Sequence, residues 1–110
     1  MMVDYELNEL RREFLQEAGE KVSEIQRALD DGRNSESRDR LAYLAHQLKG
    51  SGGSYGYQRI SSEAAEIEKA VEKITEDGTD AATEAKIQQA VVNLRDEVQK
   101  ASRELATAPA

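Results

Sequence analysis

The chain has 110 residues, with 15 Lys plus Arg against 22 Asp plus Glu and a formal net charge of −7. That length suits one domain, and an acidic body argues against a general nucleic-acid binder, which needs a basic footprint to neutralise phosphate. Cysteine is absent, which excludes disulfides, thiol catalysis and cysteine metal sites and removes any need for an oxidising compartment.

No apolar run approaches the roughly 18 residues of a membrane-spanning helix. Residues 1–10 lack a basic-then-apolar signal pattern. A cytoplasmic protein with no membrane association is therefore expected. Abundant Ala, Glu, Lys, Arg and Leu beside a single Pro favours an all-α fold.

Four helical segments follow one another. The first runs from about Asp4, a possible cap, to about Asp30, with Gly32 as its stop. Leu7, Leu10, Phe14, Ala18, Val22, Ile25 and Leu29 recur along it at steps of three and four. The second starts near Asn34 or Ser35, both good caps, and runs to about Tyr55, with Leu41, Leu44, Leu48 and Tyr55 as its stripe. The third starts shortly after Gly56 and ends before Gly78, with Ile60, Ala64, Ile67, Val71 and Ile74 inward. The fourth starts near Thr79 or Asp80 and fades near Ala106, with Ile87, Val91, Leu94, Val98, Ala101 and Leu105 inward. Residues 106–110 have nothing to bury and are expected to fray. Short connections make successive helices antiparallel neighbours, so one up-down antiparallel four-helix bundle over residues 1–110 is predicted.

One stretch breaks local rules. The stretch from Leu41 to Tyr57 contains the only histidine, His46, and four of the seven glycines, at 50, 52, 53 and 56. Glycine in a helix interior costs up to about 1 kcal/mol relative to alanine, and such violations tend to mark functional sites. At roughly 100° per residue, His46 faces away from the Leu41, Leu44 and Leu48 stripe. Lys49, at i+3, shares its face, and Gly50 and Gly53 leave that face bare. Ala42 and Tyr43 flank the imidazole, and Arg38, Arg40 and Arg59 are candidates for added positive charge.

Imidazole, with an unperturbed pKa of about 6.5, is a good nucleophile near neutral pH. Attack on phosphorus needs one ring nitrogen with a free lone pair and the other protonated and oriented. The transferring group then needs positioning and charge neutralisation, which Lys49 is placed to supply. On the residues alone, an unremarkable surface histidine and a functional one both remain open, and phosphoryl transfer is not specified.

The run His46-Gln47-Leu48-Lys49-Gly50-Ser51, closing with Gly56, resembles the signature of the histidine phosphotransfer (HPt) domain, and the four helices resemble that family's bundle over nearly the whole chain. The resemblance implies that His46 is phosphorylated at Nε2, that Lys49 stabilises the phosphoryl group, and that Gly50 gives access to a response-regulator receiver domain. Ala42, Tyr43 and Gly53 would line the docking surface. A sensor or hybrid histidine kinase would be the other partner. No cofactor is implied on this chain, Mg²⁺ being carried by the receiver. The implied role is a monomeric phosphocarrier without kinase activity of its own.

Tyr55-Gly56-Tyr57 looks like the aromatic-Gly-aromatic run in the phosphotransfer domain of chemotaxis histidine kinases. Counted on without a gap, Glu68 falls where that group has a glutamate bonded to the histidine's Nδ1. Ala65 departs from the polar residue often found there. The competing function is a helical adaptor that binds a receiver or kinase without passing phosphate. A kinase catalytic fragment lacks its nucleotide motif, and a metal site lacks ligands.

Overall fold

The computed structural model describes residues 4–31 and 34–107, the side chain of Asp4 excepted. It has four helices, α1 (Asp4–Asp31), α2 (Ser35–Ser54), α3 (Gln58–Asp77) and α4 (Ala81–Ala106), and no strand among the described residues. The expected roles of Asp4 as a cap and Gly32 as a stop, and the tail at 108–110, lie outside what is described. Thr107 closes α4, its N–H donating to the Arg103 carbonyl.

Side chains and turns set the helix ends. Asn34 caps α2, its Oδ1 accepting from the Ser37 N–H at 2.8 Å. Asp80 does the same for α4 through the Thr83 N–H at 2.7 Å. That bond, with the Thr83 hydroxyl, holds the Asp80 carboxyl below the usual carboxylate range. Gly56 and Gly78 take positive φ, 85° and 79°, which lets the chain reverse sharply at each end of α3.

Each helix packs on the next, and α4 closes onto α1, while among the described residues the diagonal pairs bring no Cα atoms within 8 Å of each other. The α2–α3 face is the most extensive of the four. The whole measures 48 × 23 × 19 Å. The third helix buries the five residues its period predicts. Elsewhere the core is wider than one stripe, adding Leu15, Ala45, Gly52, Thr83 and Ala90.

Phe14 stacks on Tyr55 and Tyr57, with centroids 5.0 and 5.8 Å apart, and so fixes α1 against the α2–α3 connection. Tyr55 is consequently half-buried, not enclosed. Leu7 and Leu10, on the stretch of α1 that precedes this stack, are likewise only half-buried.

Candidate functional site

The second helix is continuous from Ser35 to Ser54 and carries its three glycines without a break. Leu44, Ala45 and Leu48 of α2 are almost fully enclosed, so the residue between Ala45 and Gln47 is pushed to the outer face. The His46 side chain keeps 68% of its surface exposed. Across the α2–α3 seam, the fully buried Ile67 leaves Glu68 at the edge of the interface, within reach of α2.

One carboxylate joins the two polar residues of α2. Glu68 Oε2 lies 2.7 Å from His46 Nδ1, and Glu68 Oε1 accepts from Lys49 Nζ at 3.1 Å. The bond from Lys49 holds the Glu68 carboxyl below its usual range; partial burial opposes this and the bond to His46 adds to it. Glu68 is therefore ionised near neutral pH and can only accept. The proton between it and the ring belongs to Nδ1. Neutral His46 then carries its free lone pair on Nε2, which has no partner among the described residues.

Folded Glu68 titrates below an unfolded glutamate. Its contribution to stability is thus complete above the ordinary glutamate pKa and is lost as pH falls through the lower folded value. Urea titrations should find Glu68→Gln less stable than the parent by about 0.5 kcal/mol at pH 7, the scale of a partly exposed ion pair. The gap should close well below the ordinary glutamate pKa of about 4.3.

The glycines divide into two kinds. A Cβ on Gly50 would meet nothing within 4 Å, whereas one on Gly52 would lie 3.1 Å from the Ser61 backbone nitrogen and 3.2 Å from Ile60 Cγ2. Gly52 therefore sets how closely α2 and α3 approach, and Gly50 has no such packing role. In equilibrium unfolding, Gly50→Ala is expected to stabilise the chain by about 1 kcal/mol through helix propensity. Gly52→Val is expected to destabilise it by about 1–3 kcal/mol through overpacking. The fold would thus gain from losing Gly50, which points to a use for the bare backbone outside the fold.

The other expected residues are placed unequally. Tyr43 is 53% exposed, one turn before His46. Its ring lies under the Arg40 guanidinium at 5.6 Å, and its hydroxyl accepts from Gln47 Nε2 at 2.8 Å. Ala42 is half-buried against the core. Gly53 borders the bare face: a side chain there would make ordinary contact with Ser61 Oγ of α3 at 3.7 Å. Arg40 is held by Glu24 of α1 at 2.7 Å, and Arg59 pairs with Glu97 of α4 at 3.6 Å, so neither charge is directed at the imidazole. Sequence reasoning missed Gly52 and Ser61, whose hydroxyl donates to the Lys49 carbonyl at 2.7 Å.

No helix of the described residues is long and apolar enough to cross a membrane. The family model of the Hpt domain matches residues 9–104. Searches of the curated proteins and of the solved structures found no match.

Proposed function

The chain belongs to the Hpt domain family, whose members pass phosphoryl groups through a histidine in phosphorelays, and we propose that His46 is the residue that carries the group here. One observation supports this above the rest: a single carboxylate, Glu68, grips Nδ1 and the Lys49 ammonium together and leaves Nε2 open to solvent.

On this reading the donor is the aspartyl phosphate of a response-regulator receiver domain, and transfer is reversible. The Nε2 lone pair forms the N–P bond as the O–P bond to the receiver's aspartate breaks, and that carboxylate leaves with its electron pair. No proton need move. The ring becomes a phosphorylated imidazolium that keeps its Nδ1 proton, and Glu68 offsets the positive charge that develops. Lys49 turns from Glu68 toward the equatorial oxygens, where charge accumulates. The bare backbone at Gly50 lets the receiver's acidic pocket, with its Mg²⁺, approach the ring, and Tyr43 and Ala42 form the adjoining docking surface.

The chain would act as a cytoplasmic monomer with no cofactor and no kinase activity of its own, charged by a sensor or hybrid histidine kinase or by the receiver. The test is incubation with a panel of phosphorylated receiver domains. A cognate receiver is expected to transfer label to the chain in acid-labile, base-stable form. Tight binding of a receiver with no transfer would instead favour an adaptor.

A further inference from the structure

The turn of α2 that carries Lys49 is weak by composition. Gly50, Gly52 and Gly53 each surrender up to about 1 kcal/mol against alanine, yet the helix persists to Ser54. Two bonds from outside the helix land on its carbonyls. The Ser61 hydroxyl donates to the Lys49 carbonyl at 2.7 Å, and the Tyr57 N–H donates to the Gly52 carbonyl at 2.8 Å. Ser61 lies in the first turn of α3, where its own backbone nitrogen closes on Gly52.

Ser61 and Glu68 are seven residues apart, two helical turns, and so lie along one line of α3. That line touches α2 twice. The hydroxyl holds the backbone of Lys49, and the carboxylate holds the ammonium of the same residue together with the imidazole of His46.

We propose that Ser61 is a positioning residue for phosphotransfer. Its hydroxyl pins the Lys49–Gly50 turn, so that the ammonium stays in register with Nε2. This rests on the relay reading above. Only the hydroxyl is required, so threonine should serve in its place.

The test compares Ser61→Ala and Ser61→Thr, each in the parent and in a Lys49→Ala background. Two quantities are read: the rate of label transfer from a phosphorylated cognate receiver domain, and amide hydrogen exchange across residues 50–54. Ser61→Ala is expected to slow transfer about three- to tenfold in the parent, the scale of one lost hydrogen bond. Ser61→Thr should stay within about twofold of the parent. With Lys49 already removed, the Ser61→Ala loss should shrink below about twofold, because coupled residues are not additive. Exchange at 50–54 should quicken in Ser61→Ala while α1 and α4 keep their protection.

Undiminished transfer by Ser61→Ala, an equal loss in both backgrounds, or unchanged exchange at 50–54 would each overturn the proposal while leaving the relay intact. A parent chain that accepts no label from any donor would defeat the relay reading, and this proposal with it.

Discussion

Replacement of His46 by glutamine is expected to abolish labelling by a phosphorylated receiver domain, while far-ultraviolet circular dichroism is unchanged and stability falls by no more than about 0.5 kcal/mol. Glutamine removes the only imidazole in the chain, and an amide has no comparably nucleophilic lone pair. The substitution sits on an exposed helical position outside the core, and the lost bond to Glu68 should cost no more than about 0.5 kcal/mol. The same variant should still bind the receiver, because the docking face around Tyr43 and Gly50 is untouched. Label that survives in His46→Gln would move the acceptor elsewhere.

The second large effect concerns Gly50. Leucine there would project from an exposed turn into open space, one turn beyond the imidazole and on its face of the helix. The chain itself should be stabilised, by the propensity gained over glycine. Transfer from a receiver domain, however, should fall at least about 100-fold, since displacing reacting atoms by about 1 Å already costs that much. Phosphorylation by a small phosphoramidate donor, which needs no docking surface, should be nearly normal. A more stable protein with intact chemistry and failed transfer is a signature that general damage to the bundle would not produce. Parent-like rates with a receiver would remove the access role of Gly50.

Much of this architecture is written in the spacing of large apolar residues. The third helix presents its five buried positions at steps of three and four with nothing to confuse them. The helix starts at Asn34 and Asp80 follow from side chains that accept backbone N–H groups. Alanine is where the pattern loses definition. Ala45 and Ala90 are buried, but alanine is equally at home outside, and period alone does not separate the two. Leu15 is buried beside Phe14 because α1 faces both α2 and α4, a fact that exists only once the helices are assembled.

The site divides along the same line. The outward face of His46 and the company of Lys49 depend on one helix and can be read from it. The bond from Nδ1 to Glu68 joins residues 22 apart, and it was reachable in sequence only through the ungapped resemblance to the chemotaxis group. The roles of Gly52 and Ser61 were not legible. A glycine that admits a neighbouring helix and one that bares a docking face look alike until the opposite surface is known. Gly53 lies at the border between the two, with Ser61 of α3 at ordinary contact distance.

By accepting the Nδ1–H hydrogen bond of His46, Glu68 would leave Nε2 as the nucleophile. Phosphorus–nitrogen couplings measured by NMR on the ¹⁵N-labelled, phosphorylated chain distinguish the two ring nitrogens. The expected spectrum shows one phosphohistidine, bonded to phosphorus through Nε2, with a protonated Nδ1 whose signal shifts in Glu68→Gln. A phosphoryl group on Nδ1, or a His46 tautomer indifferent to Glu68, would contradict it.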